Sequence, residues 1–348
     1  MTTPVDTLGM LDLAFALPEQ IEDAIEQVAD LVGLPEHEDI EQVVVLGMGG
    51  SGIAGDVMAA VAGPFMPVPV VVQKGYAPPQ FVNDRTLVFA VSCSGETEET
   101  VEAATLAALD GARLVVVAQG GRLAKLAAEW GAAFVQVDQA IPMPRAALGA
   151  LAIPPLLVLD QVGLFPGATG WVDAAVTQLR TRRELVGSQG EALRPLAGRL
   201  ASTVPVIYGG GSIGDVAARR WKAQCNENAK VPAFANTVPE LTHNEICGWG
   251  PESGVDRSGF HVVALRTDLE HPQVARRFAY LADLLDGVVH GIDEVRADGE
   301  GTLAQLLDLA FVGDLVSVLL AYELGVDPGP IPVLADLKER LAEPGDES

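Results

Sequence analysis

The sequence predicts an α/β protein of two related domains, each a parallel sheet flanked by helices in a three-layer α/β/α arrangement. Three observations carry this reading. An apolar run leading into a glycine-rich turn, a serine and a helix-like stretch occurs twice, about 160 residues apart, as VVVLGMGGSGIAGDVMAAV from Val43 and VPVIYGGGSIGDVAARRW from Val204. Short β-like runs alternate with helix-length segments through most of the chain. The 348 residues, 49% of them hydrophobic, exceed what a single core holds.

Taken in order, LPEQIEDAIEQVADLVGL from Leu17 has helical apolar spacing with acidic residues near its start. Strand-like runs follow at 43–46, 68–72, 87–91, 114–117 and 134–137, mostly separated by helix-length segments. ALGALAIPPLLVLDQVGLF from Ala147 is broken by Pro154, Pro155 and Asp160, too short for a membrane span and suited to a buried helix. GLFPGATG from Gly163 reads as the linker, with a long helix starting near Trp171, so the domains are set at 1–165 and 166–348. The second half repeats the plan with strands at 204–208, around 233–237 and at 261–265. The tail after Ala342, EPGDES, reads as disordered.

Composition restricts the partners. Against 22 basic residues stand 47 acidic ones, a formal charge of −25 that argues against nucleic acid or an anionic membrane surface. Salt screens that surface beyond about 8–10 Å, so an anionic ligand must be attracted by groups inside its site. Three cysteines at no metal-like spacing, and no basic leader followed by an apolar core, point to a reduced cytoplasmic protein. Five histidines form no HxH or HxxxH pair, which leaves no zinc motif.

The chemistry concentrates in LVFAVSCSGETEET, residues 87–100. A strand ending at Val91 and a helix starting near Thr97 bring Ser92, Ser94, Thr97 and several backbone N–H groups into one volume, suited to the oxygens of a phosphomonoester. The plainer reading is a helix cap, in which Ser94 to Thr97 simply open the helix ahead of Glu98 and Glu99. The turn at Gly49 to Gly52, with Gly50 and Ser51 one strand away, favours the anion site.

Six segments, GMGGSGIAGD, SCSGETEET, PRAALG, NENAK, ELTHNEICGW and GVDP with a later LK, occur in that order from Gly47 nearly to the C-terminus. Together they resemble the bifunctional phosphoglucose/phosphomannose isomerases, a family built from sugar isomerase (SIS) domains. The resemblance implies two SIS-type domains and a homodimer with active sites at the subunit interface. It further implies metal-free, cofactor-free interconversion of glucose 6-phosphate or mannose 6-phosphate with fructose 6-phosphate. Such a reaction moves a proton between C2 and C1 through a cis-enediol. It needs one carboxylate over both carbons, a group to open the ring, and a cation or donors for the enediolate oxygens.

The resemblance assigns these roles. Glu227 of NENAK is the proton-transferring base, although spacing alone fits a surface glutamate paired with Lys230 or Arg220. His243 opens the ring from the neighbouring subunit; alone it reads as a structural histidine near the cap residue Asn244. Arg145 lies beside the reacting carbons, whereas by itself it reads as a surface arginine at a helix start, where the dipole disfavours a cation. Lys338 matches a lysine reaching the sugar ring and also fits a surface helix running from Asp336 to Arg340. Where the family has S-Y-S-G-N-T-E-E-T, this chain carries Cys93 for the aromatic residue and Glu96 for the amide. A Glu96 carboxylate beside a phosphate dianion repels it unless it points away or is paired.

Two other classes compete. A non-catalytic sugar-phosphate sensor would keep Ser51, Ser92, Ser94 and Thr97 without the base and histidine, and would add a basic DNA-binding module; Glu227 and His243 are present and no such module is visible. An NAD-dependent dehydrogenase lacks its acidic residue about 20 residues after the glycine turn. An isomerase of a different phosphosugar is the remaining alternative.

Overall fold

The structure is a computed structural model that describes residues 5–342; the EPGDES tail lies outside them. Two short helices, α1 (Met10–Phe15) and α2 (Leu17–Ala29), precede the first sheet. That sheet is built from β1 (Gln42–Leu46), α3 (Gly49–Val61), β2 (Val70–Gln73), β3 (Thr86–Val91), α4 (Glu98–Leu109), β4 (Arg113–Ala118), α5 (Gly121–Trp130) and β5 (Ala133–Gln136). All its strands are parallel, in the order β2-β1-β3-β4-β5, with Val45 opposite Val72 on one side and Phe89 on the other. Val43, Val44 and Val45 are fully buried, as a strand covered by helices on both faces requires. The chain leaves β1 toward β2 and returns on the other side as β3. The loops after β1 and β3 therefore diverge at the carboxyl edge and open a crevice.

Three helices lead into the second half: α6 (Leu148–Val162), α7 (Ala168–Val186) and α8 (Arg194–Leu200). Pro154 and Pro155 lie inside α6 and are buried with it, in keeping with the expected buried helix. The second sheet comes from β6 (Val204–Gly210), α9 (Gly211–Gln224), β7 (Phe234–Val238), β8 (Phe260–Arg266), α10 (Pro272–Leu285) and β9 (Gly291–Arg296). Its parallel order, β7-β6-β8-β9, repeats the first four positions of sheet one. The sequence reading omits β9, because GIDEVR carries three charges and lies half-exposed at the sheet edge, without an apolar run to mark it.

The last two helices, α11 (Gly301–Glu323) and α12 (Pro332–Ala342), differ sharply. α11 is long and apolar enough to cross a membrane, yet it is buried within the protein. Leu303, Leu307 and Phe311 enter the core of the first sheet, while Leu309, Val312 and Val316 enter that of the second. A helix apolar all round is satisfied only in such a position. Gly313 makes the closest approach there, since a Cβ would lie 2.3 Å from Nε1 of Trp221, whose indole N–H donates to the Leu309 carbonyl at 2.7 Å. α12 is exposed along its length from Val333 to Leu341.

Candidate functional site

The crevice is lined first by the turn between β1 and α3. A Cβ on Gly47 would lie 2.9 Å from the Val91 carbonyl, and one on Gly50 would lie 2.9 Å from the backbone nitrogen of Arg145. Glycine at both positions lets three segments meet: the first glycine turn, the end of β3 and the Pro144–Arg145 turn. No side chain caps the start of α3. The Ser51 hydroxyl accepts from the Cys93 N–H at 3.0 Å, which ties the two loops together and leaves its own proton free to donate.

The segment after β3 folds over the same edge. Ser92 accepts from the Gly95 N–H at 3.2 Å and is 2.9 Å from the Thr97 hydroxyl; Ser94 accepts from the Glu96 N–H at 3.2 Å. Thr97 occupies the N-cap of α4 but makes no capping bond, so the plain capping reading is not realised. Hydroxyl donors and two uncapped helix starts therefore share one edge of the sheet, an arrangement with the chemistry to receive an anion. Glu96 turns away from it, its carboxylate accepting from the Arg122 N–H at 2.9 Å at the start of α5. Cys93 is buried, and burial pushes its thiol up to about 11, as packing rather than chemistry demands.

Opposite the glycine turn, α9 ends in a π-turn, Cys225–Ala229, that carries Glu227 and Asn228. Glu227 is partly buried and its Oε2 lies 3.8 Å from Nη1 of Arg145, which is 1% exposed. Burial raises the Glu227 carboxyl above its ordinary range, against the lowering effect of Arg145 and three further cations. Burial also lowers Arg145 from its usual value, against Glu227. Neither plainer pairing of Glu227 is realised. Arg220 forms a buried bidentate pair with Asp314, at 2.9 and 2.5 Å, and Lys230 donates to the carbonyls of Asn228 and Asp327.

Between the glycine turn and Glu227 lies a cavity of about 140 Å³. Lys74, Arg145, Arg219 and Arg220 line it against Asp56 and Glu227, so its wall is net cationic although the chain carries −25. Asp56 accepts from Lys74 Nζ at 2.6 Å and Arg219 Nη1 at 3.1 Å, and the other end of Arg219 reaches Asp215 at 2.8 Å. Sequence reasoning missed Lys74, Asp56, Arg219 and Asn228. The one available signal is the aspartate repeated at the same place in both glycine motifs, Asp56 and Asp215, which Arg219 bridges.

Other expected residues lie elsewhere. His243 is exposed at the end of a 3-10 turn, Glu240–His243, whose following segment is anchored by Glu245 to Tyr208 and to Asn236, the latter at 2.6 Å. Lys338 is exposed on α12 beside an Asp336–Arg340 pair. Within one chain neither lines the cavity. The second glycine turn does not repeat the first as an anion-receiving edge: a Cβ on Gly210, which caps α9, would meet the Glu270 carboxylate at 2.7 Å. Arg266 holds that carboxylate in place, so a negative side chain of the chain itself stands at the second turn.

A family model described as the bacterial phospho-glucose isomerase C-terminal SIS domain matches residues 190–341, and the SIS domain model matches 38–135. The bifunctional phosphoglucose/phosphomannose isomerase of Caldicellulosiruptor bescii is 35% identical over 96% of this chain and 99% of its own length. Its namesake in Aquifex aeolicus is 32% identical over 88% and 94%. A differently named relative, the D-glucosamine-6-phosphate 4-epimerase of Sulfolobus acidocaldarius, is 25% identical over 92% and 94%. Among solved structures, the C-terminal domain of glucosamine-fructose-6-phosphate aminotransferase from Francisella tularensis superposes with a TM-score of 0.71 at 16% identity, covering 92% of this chain and 98% of that one. Tagatose-6-phosphate ketose/aldose isomerase from Escherichia coli gives 0.66 at 14%, covering 95% and 98%. These structural likenesses carry the fold alone.

Proposed function

The chain belongs to the bifunctional phosphoglucose/phosphomannose isomerase family, and from this premise we infer that it is an aldose-ketose isomerase interconverting glucose 6-phosphate and mannose 6-phosphate with fructose 6-phosphate. In this reading the substrate phosphate sits on Gly50, Ser51, Ser92, Ser94 and Thr97, with its carbon chain in the cavity toward Glu227. Glu227 removes the proton at C2, the C–H electrons form the C1–C2 double bond, and the former carbonyl electrons settle on O1 as an enediolate. Proton transfer between O1 and O2 and return of the proton to C1 complete the ketose, with no electrons gained or lost. Arg145 Nη1 stabilises the charge on oxygen.

The observation that carries this assignment is the 3.8 Å pairing of Glu227 with the buried Arg145, across the cavity from the glycine turn. His243 opens the sugar ring and Lys338 reaches it, both from a second subunit, a reading supported by their exposed positions away from the cavity lining. α12, exposed with Val333, Leu334, Leu337 and Leu341, gives the dimer an apolar helix to cover. The two SIS units divide at 165/166, near the left-handed turns at Gly163 and Gly167. Three free cysteines, two of them buried, suit a protein working in a reducing cytoplasm.

A coupled assay in EDTA with glucose 6-phosphate and mannose 6-phosphate in parallel tests the reading. Turnover of both is expected, with Glu227→Gln lowering kcat by about 10²–10⁴-fold as loss of a general base does. Full activity of that variant would remove Glu227 from the mechanism.

A further inference from the structure

Arg145 is held far more completely than a cation that merely binds substrate needs to be. Its Nε donates to Asn228 Oδ1 at 2.7 Å, and its Nη2 donates to the carbonyls of Pro328 and Gly329, both at 2.6 Å. Arg220 Nη2 donates to the Arg145 carbonyl at 3.0 Å. Asn228 is equally fixed: it is 1% exposed, and its Nδ2 donates to Ser317 Oγ at 2.9 Å, which in turn donates to the Asp314 carbonyl at 2.7 Å. That chain orients the amide so that its oxygen, not its nitrogen, faces the guanidinium.

Two consequences follow from which atoms are used. The acceptors at Nε and Nη2 are an amide and two peptide carbonyls, all neutral, so the guanidinium is aimed without being neutralised. Nη1 is left pointing toward Glu227 Oε2, too distant at 3.8 Å for a normal hydrogen bond. When Glu227 takes the substrate proton it becomes neutral, and the negative charge moves to the enediolate. A cation already fixed between the two positions stabilises either one without moving.

We propose that Asn228 is a positioning residue, which acts through Arg145 by holding the guanidinium with a neutral acceptor so that Nη1 keeps its full charge for the enediolate. This rests on the assignment of Glu227 and Arg145 above. A carboxylate in place of the amide would satisfy the same N–H and still fail, because it would form an ion pair with Arg145 and add a second negative group next to Glu227.

The test compares the full-length protein with Asn228→Ala and Asn228→Asp, measuring kcat and KM for glucose 6-phosphate and competitive inhibition by two probes. One probe is inorganic phosphate, which senses only the phosphate site. The other is 5-phospho-D-arabinonate, whose carboxylate resembles the enediolate. Both variants are expected to lose about 10–100-fold in kcat, as a displaced reacting group does, with arabinonate inhibition weakened in proportion and phosphate inhibition unchanged. Asn228→Asp, nearly isosteric, is also expected to move the acid limb of the kcat/KM profile to higher pH. The proposal is overturned if either folded variant turns over within about twofold of the parent. It is equally overturned if phosphate inhibition weakens as much as kcat falls, which would make Asn228 a structural residue. Retained activity in Glu227→Gln would overturn the underlying assignment instead, independently of either Asn228 variant.

Discussion

As the proposed base, the partly buried Glu227 carboxyl links stability to chemistry. Desolvation outweighs the four neighbouring cations, so its pKa is raised in the folded protein. A general base works deprotonated, so kcat/KM falls as pH drops through that pKa, and this limb is expected above the ordinary carboxylate range. Arg145→Met removes the largest lowering influence and is expected to shift the limb higher still. The stability sign is the reverse of the common surface carboxylate. A carboxyl with a raised folded pKa stabilises the fold below its unfolded pKa, and that contribution is lost as pH rises through the folded pKa. Glu227→Gln is therefore expected to melt at or above the parent Tm at about pH 7.5 while losing turnover. A clear drop in Tm there would mean that the ion pair with Arg145 serves stability first. Nothing in the residues around Glu227 announces this; CNENAK reads equally well as a solvated helix face, and only the family motif marks it.

At the scale of elements, the site depends on how closely three turns approach. Gly50 is the contact point, since a Cβ would stand 2.9 Å from the Arg145 nitrogen and 3.0 Å from the Pro144 carbonyl carbon, both backbone atoms that cannot rotate away. Gly50→Ala is expected to push the Pro144–Arg145 turn outward and lower kcat/KM by about 10–100-fold, with about 1–3 kcal/mol of lost stability from overpacking. Gly63→Ala, in a turn where a Cβ meets nothing within 4 Å, serves as the control. Equal effects at both positions would show that the approach at Gly50 is not critical. The strand–turn–helix around Gly50 was legible because it is local: an apolar run, a glycine turn and a helix start are all encoded within a few residues. The edge strand β9 was not, because its polar residues are stabilised by partners on other elements, such as Arg199 on Asp293 and Arg266 on Glu294.

Over the whole molecule, the repeated fold supplies two glycine turns but gives them different fates. The helices that follow them pack together, and Arg219 joins their aspartates. The first turn faces hydroxyls and a cationic cavity, while the second faces Glu270. The cavity also offsets the surface charge locally, as the ligand requires. If His243 reaches the neighbouring site, separately inactive Glu227→Gln and His243→Ala proteins should regain activity when their subunits are exchanged. Each mixed dimer then holds one intact site, so about a quarter of parental turnover is expected from equal mixing of a two-fold symmetric dimer. No recovery after proven exchange would place His243 in its own subunit's site or outside the mechanism.

The amino-acid sequence by itself determined the two glycine turns, eight of the nine strands among the described residues, the hydroxyl set of SCSGETEET and the ordered motifs that identify the family. These depend on spacing along a few residues, which neighbouring side chains and backbone torsions fix directly. Only the tertiary structure decided the direction of Glu96, the carboxylate at the second turn and the grip on Arg145. That grip comes from Asn228 and from carbonyls as far as 184 residues along the chain. The physical reason is common to all three. Each charge takes the polar partners that packing brings to it, exposed Glu96 at the start of α5 as much as buried Arg145, and which groups are near enough to serve is set by long-range packing, with no trace in the local pattern.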